Sequence, residues 1–237
     1  MKFIKSNQYN KEFLMQNMMG PNCMKILEEL TETIKLEKGM RVLDLGCGKG
    51  LTSIFLAKEF GVNVFATDLW IGATENHHRF QVFNLEKQII PIHADAWKMP
   101  YADEYFDAVI CIDAYLYFGG DERFMDDKLA PLLKKDGLIA IAIPGMKKEI
   151  HDSIPQEMLL SWSPEDIKTI HSSQWWQELL GKSHQIKIDS IQEMQCFDEC
   201  WSDWLACDHE YAKIDRPAME AGAGKYMNFI SIIARKI

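Results

Sequence analysis

Apolar and polar positions change period several times along this chain, and each change marks an element. Between residues 23 and 36 the side chains Cys23, Ile26, Leu27, Leu30 and Ile34 recur at helical steps, with Gly20-Pro21-Asn22 as a start signal. Val42-Leu43-Asp44-Leu45 is a short apolar run ending in glycines, the pattern of a strand buried on both faces. Residues 51–60 read as a helix closed by Gly61. Further strands are predicted over 62–67, 89–93, 106–112 and 138–143, with helices over 73–88 and 122–135, the latter stopped by Asp136-Gly137. Strands alternating with helices across short joints predict a parallel sheet covered on both sides.

Beyond Pro144 the alternation stops. Ser163-Pro164-Glu165-Asp166 combines a hydroxyl cap, a first-turn proline and two acids at the positive end of a helix, which predicts a helix running to Leu180 and ending at Gly181. Residues 184–195 and 226–237 read as strands. Between them, residues 197–211 are rich in Trp and Cys and lead into an irregular loop around Ala221-Gly222-Ala223-Gly224. Residues 1–19 carry Phe3, Phe13, Leu14, Met15, Met18 and Met19 without a regular period. No repeat or linker interrupts the chain, so a single domain is expected over residues 1–237.

The segment most informative about chemistry is Asp44-Leu45-Gly46-Cys47-Gly48-Lys49-Gly50, a glycine-rich turn between a strand and a helix. Glycines allow a sharp turn and let a ligand approach the main chain without a Cβ in the way. Asp68 ends the next strand, where a carboxylate can accept hydrogen bonds from both hydroxyls of a ribose. Asp95-Ala96 ends the third strand, and Ile112-Asp113 the fourth. All lie at carboxyl ends of strands, the edge at which open α/β sheets bind ligands.

In that order, over residues 41–143, these segments resemble the motifs of class I S-adenosylmethionine-dependent methyltransferases of the small-molecule type. The resemblance implies a Rossmann-like α/β methyltransferase fold: a seven-stranded, mostly parallel sheet with its last strand antiparallel and helices on both faces. It divides the chain into a helical cap (1–40), a cofactor-binding core (41–145), additions on the acceptor side (146–225) and a closing strand (226–237). It also assigns roles. Gly46 and Gly48, with Cys47 between them, line the methionine and ribose parts of S-adenosylmethionine, and Asp44 orients the methionyl ammonium. Asp68 holds the ribose, Leu69 and Trp70 pack on the adenine, and Asp95 and the Ala96 amide read its edge. Ile112 and Asp113 contact the methionine amine. Tyr117 is the candidate catalytic residue; many related enzymes have a histidine there, so a histidine-based proton transfer is not expected.

Charge narrows the acceptor. With 26 basic and 35 acidic residues the net charge is −9, which disfavours a nucleic-acid partner and favours a small-molecule acceptor. The segment Met1-Lys2-Phe3-Ile4-Lys5-Ser6 lacks the apolar run of a signal peptide, and no stretch has the length for a membrane span, so a cytoplasmic location without stable membrane attachment is expected. Cys196, Cys200, Cys207 and His209 do not have a usual zinc spacing, so no metal is expected and the cysteines read as buried thiols. A nicotinamide-dependent oxidoreductase would also use a glycine loop and an acid. Its third glycine, however, would fall at Leu51, whereas here it is Gly50. The other rival is a cofactor-binding domain without turnover.

Overall fold

The computed structural model describes residues 2–237. In chain order its main elements are α1 (Lys11–Asn17), α2 (Cys23–Thr31), β1 (Arg41–Leu45), α3 (Leu51–Phe60), β2 (Asn63–Asp68), α4 (Ala73–Val82), β3 (Ile89–His93), β4 (Phe106–Ile112), α5 (Glu122–Phe124), β5 (Leu133–Met146), α6 (Pro164–Ile167), α7 (Ser173–Leu180), β6 (Ile186–Glu193), α8 (Phe197–Leu205), α9 (Glu210–Glu220) and β7 (Met227–Lys236). Seven strands form one sheet in the order β3-β2-β1-β4-β5-β7-β6. The pairs β1–β2, β1–β4, β2–β3 and β4–β5 are parallel, and β7 runs antiparallel between β5 and β6.

The period-two rule explains why the central strands are apolar throughout. Val42 faces one core with Ile54, Val64 and Ile110, while Leu43 and Leu45 face the other with Val109, Ile141 and Trp176. Helices cover both sides, so neither face can be polar. The reversal of order, with β1 flanked by β2 and β4, opens a crevice at the carboxyl ends of these strands.

The helix expected over 73–88 ends at Val82 and the strand expected over 138–143 extends over Leu133–Met146, and three further departures have a clear physical cause. The helix expected over 122–135 breaks after one turn of α5 into a π turn (Met125–Leu129) and a 3-10 turn (Ala130–Leu132). Pro131 cannot donate to a continuing helix, and the next residues are claimed by the sheet: Tyr105 N–H donates to the Leu132 carbonyl (2.9 Å) and Leu133 pairs with Phe106. The helix expected from residue 163 stops at Ile167, although Ser163 caps it as predicted and Asp166 returns a bond to the Ser163 backbone. The backbone at 171–172 turns instead to meet β5, with Met146 N–H donating to the His171 carbonyl (3.1 Å), and Ser172 starts α7 afresh. Finally, α9 occupies residues the sequence leaves irregular. Asp215 accepts from the indole N–H groups of Trp162 and Trp204 (2.8 Å each), and Arg216 donates to the carbonyls of Leu205 and Cys207. These long-range bonds hold a helix that contains Pro217.

Among the described residues no helix is long and apolar enough to cross a membrane. The six cysteines are free, with five buried and Cys23 half-buried.

Candidate active site

The crevice is a cavity of about 270 Å³ lined by the ends of β1, β2, β3 and β4 and by the chain just ahead of α2. The glycine loop forms its floor. Gly46, Gly48 and Gly50 all have positive φ (73°, 52° and 78°), a backbone region that ordinary side chains avoid. At Gly46 space is also closed: a Cβ there would lie 2.2 Å from the Ala114 Cβ. The Gly46 and Cys47 N–H groups donate to the Thr67 carbonyl (2.8 and 3.2 Å), which ties the loop to β2. Burial pushes the Cys47 thiol well up, so it stays protonated and serves as a small wall residue.

Asp68 sits in the cavity wall and is 8% exposed. Its Oδ2 accepts from Gly48 N–H (2.8 Å), and its Oδ1 accepts from the N–H groups of Trp70 and Ile71 (2.7 and 2.9 Å). A carboxylate has about four acceptor positions. Three are thus taken by backbone, which leaves capacity for one ribose hydroxyl where the sequence suggested two. Asp68 also clamps the two loops together. Asp68→Ala should therefore lower both cofactor affinity and ligand-free stability, each by about 1–3 kcal/mol; calorimetry and thermal melting read the two effects separately. Unchanged stability would show that the amides find other acceptors.

Asp95 lines the cavity with one oxygen committed, since Oδ1 caps the next turn by accepting from Trp97 N–H (2.9 Å). Ala96, Trp97 and Leu69 line it as well, and Trp70 overhangs the mouth, 65% exposed. Asp44 stands behind the wall rather than in it. Its Oδ2 accepts from the hydroxyls of Thr52 (2.6 Å) and Ser53 (2.5 Å), while its buried Oδ1 has no partner among the described residues. Burial pushes its pKa up to about 6 against the lowering effect of Ser53 and Thr52, and the charge of Asp68 adds to the rise.

Ile112 and Asp113 come from the end of β4 and both line the cavity. Asp113 is in the left-handed region (φ 58°), held there by its N–H donating to the Ala142 carbonyl on β5 (2.8 Å). No hydrogen bond to its carboxylate is present among the described residues. Burial, then the charge of Asp215, pushes its pKa up to about 7. Gly20 makes room for it, because a Cβ at that position would lie 2.5 Å from Asp113 Oδ2.

Tyr117 stands at the mouth, 61% exposed, with its ring edge-on to Trp70 at 5.4 Å. Desolvation of its hydroxyl, followed by the charges of Asp113, Asp166 and Asp215, pushes its pKa up to about 12, so the hydroxyl stays protonated near neutrality. The front segment covers one side: Asn17, Met19, Gly20 and Pro21 line the cavity. Lys49 Nζ donates to the Gln16 carbonyl (3.2 Å) and Arg79 Nε to Asn17 Oδ1 (3.0 Å), fastening that segment to the loop and to α4. Trp176, Trp201 and Trp204 are buried in the core. No residue from 146–225 is in the cavity lining.

Residues 42–137 match the family described as methyltransferase domain. This stretch carries the chain's similarity to methyltransferases. The methyltransferase GfsG of Streptomyces halstedii is 30% identical over 119 residues, which is 50% of this chain and 42% of that protein. The chain spans about half the length of the curated relatives it matches. Among solved structures, a geranyl diphosphate C-methyltransferase of Streptomyces coelicolor A3(2), in complex with Mg2+, geranyl diphosphate and S-adenosyl-L-homocysteine, superposes with a TM-score of 0.67 at 15% identity. That match covers 99% of this chain and 80% of the other. The [4+2]-cyclase SpnF superposes with a TM-score of 0.72 at 16% identity, covering 91% of this chain and 82% of its own. These likenesses establish the fold.

Proposed function

We propose that this methyltransferase domain binds S-adenosylmethionine in the crevice and catalyses methyl transfer to a small-molecule acceptor by in-line displacement, leaving S-adenosylhomocysteine. The observation that carries this reading is the set of open acceptors along one cavity. Asp68 Oδ2 has one lone pair left, Asp95 Oδ2 is unbonded, Asp113 is unpaired, and Asp44 Oδ1 lies behind the wall without a partner. They match in order a ribose hydroxyl, an adenine amine and a cationic amino-acid end. Asp44, being behind the wall, acts on that end through an intervening water or amide.

The cofactor, once bound, supplies an already activated methyl group. The chain's own task is therefore positioning and exclusion of water. Gly46 and Gly48 let the main chain approach closely, Met19, Gly20 and Pro21 close one side, and Trp70 and Tyr117 form the mouth through which an acceptor enters. Asp113, whose pKa is raised to about 7 in the ligand-free crevice, ionises against the cationic amino-acid end as the cofactor enters. Tyr117 orients the acceptor through its hydroxyl or its ring. Residues 146–225 do not line the crevice, so the part they take on the acceptor side lies outside this mouth. The acidic surface fits a small molecule better than a nucleic acid, and a cytoplasmic location fits the free cysteines.

Titration calorimetry distinguishes this reading from a nicotinamide site. Micromolar binding of S-adenosylmethionine and S-adenosylhomocysteine is expected, with NAD bound at least ~100-fold more weakly, a gap of about 2.7 kcal/mol. NAD binding without any response to the sulfonium cofactor would overturn the proposal. Because a cyclase shares the fold, turnover is checked separately, by transfer of a labelled methyl group to a panel of amines, phenols and thiols. Tight cofactor binding with no transfer to any acceptor would favour a binding domain.

A further inference from the structure

Outside the crevice, the chain leaving β5 is drawn against the chain entering α7. The Met146–Ser172 bridge and the bond from Met146 N–H to the His171 carbonyl (3.1 Å) hold the two segments together. Three side chains converge on the join. Glu149 Oε2 lies 2.9 Å from His151 Nδ1 and 3.2 Å from His171 Nδ1, and one ligand atom from each of the three residues falls within 4.8 Å of the others. None of the three lines the cofactor crevice.

We propose that Glu149, His151 and His171 form a binding site for one divalent transition-metal ion of the zinc class. Metal bonds of about 2.0–2.1 Å at a tetrahedral centre put neighbouring ligand atoms about 3.3 Å apart. The two N···O separations are within a few tenths of an ångström of that spacing, so a metal enters with small outward shifts of the side chains. Two imidazoles and one carboxylate suit zinc, cobalt, nickel or copper, whereas magnesium and calcium prefer sites made of oxygen. Three protein ligands leave a fourth position for water, the pattern of an open site rather than a closed structural one.

The surroundings orient these groups as ligands need to be oriented. Ser172 N–H donates to Glu149 Oε1 (2.6 Å), which fixes the carboxylate and leaves Oε2 turned toward the histidines. His151 Nε2 lies 3.3 Å from the Ile167 carbonyl. With the ring hydrogen on Nε2 it donates there, and Nδ1 keeps its lone pair for the metal, the outer-shell arrangement common to metal-binding histidines. The His171 ring lies flat on Trp175 at 3.6 Å and 5°, which locks its plane. Trp175 in turn reaches Gly120, three residues beyond Tyr117, with its Cη2 3.8 Å from where a Cβ would stand. A metal here would therefore clip the 147–172 segment one aromatic layer behind the loop that bears Tyr117.

The test uses the whole chain, stripped with a chelator and titrated with cobalt(II) as a spectroscopic stand-in for zinc. One equivalent is expected to bind, displaceable by zinc and not by magnesium. Its visible bands should be those of nitrogen and oxygen ligation, with no thiolate charge-transfer band in the near ultraviolet. Glu149→Gln and His151→Ala should each weaken binding by at least the ~10–100-fold known for outer-shell changes, while Cys196→Ser and Cys207→Ser leave it unchanged. Circular dichroism checks that each variant is folded; His151 is the safer of the two ligands to change, because Glu149 also holds the Ser172 amide. No stoichiometric uptake, uptake with a thiolate band, or uptake unaltered in folded His151→Ala protein would overturn the site.

Discussion

Asp113→Asn is expected to make the ligand-free protein more stable above neutral pH and to weaken its grip on the cofactor. The carboxyl's pKa is raised from 3.8 to about 7, first by burial and then by the charge of Asp215. Below about pH 4 the group is protonated in both folded and unfolded chains and contributes nothing. As pH rises toward 7 the unfolded chain releases its proton while the folded chain keeps it, so the folded state loses stability relative to the variant. Above about pH 7 the difference is constant. The shift corresponds to at most about 4 kcal/mol, and on the order of 2 kcal/mol is reasonable once water entering the crevice is allowed for. Asn is a near-isostere that tolerates the left-handed backbone at this position. Melting curves at about pH 4 and pH 8 should show a gap of several degrees at the higher pH only. Affinity for S-adenosylmethionine should fall ~10–100-fold if Asp113 meets a cationic group, about 1.5–3 kcal/mol. A variant as unstable as the parent at both pH values, or one that binds normally, would remove Asp113 from this role.

Gly46→Ala should be strongly damaging to both folding and binding. The residue has φ 73°, and the new Cβ would stand 2.2 Å from the Ala114 Cβ. Left-handed backbone costs about 1–2 kcal/mol for an ordinary residue, and forcing extra atoms into a filled space costs about 1–3 kcal/mol more. A total of about 2–5 kcal/mol predicts a melting temperature lower by about 5–20 °C. Relief of the clash must move either the loop or the end of β4, and both line the crevice, so cofactor binding should fall with stability. A variant with parental melting and calorimetry would mean that the loop has an alternative path that the geometry does not show.

The two substitutions act on the same seam. Gly46 on the β1 loop touches Ala114, next to Asp113 at the end of β4, and Gly20 from the front segment closes on Asp113 from the other side. The crevice wall thus joins three separate stretches of chain that meet only in the folded molecule. Asp68 adds a fourth by joining the glycine loop to the turn after β2.

Most of the α/β core was legible in the chain because it is governed by local rules. Strands buried on both faces must be continuously apolar, and β1 to β4 fall close to where such runs occur. Glycines and caps marked the turns, as at Gly61 and Ser163. The glycine loop with Asp68, Asp95 and Asp113 was legible for the same reason: each lies at or just after the end of a strand, and strand ends in a parallel sheet share one edge. What no local pattern could decide is which acceptors are already used. Asp68 is three-quarters occupied by backbone amides, Asp44 is withdrawn behind the wall by Thr52 and Ser53, and Asp113 is left unpaired. Tertiary contacts also overrode local preference where long-range bonds outweighed it. Pairing with Phe106 ended the helix before β5, the Met146–Ser172 bridge split the helix after Ser163, and two indoles on Asp215 stabilised α9 despite Pro217. The cluster of Glu149, His151 and His171 belongs with these: its members are up to 22 positions apart, and only the join of β5 to the start of α7 turns their ring nitrogens onto one carboxylate oxygen.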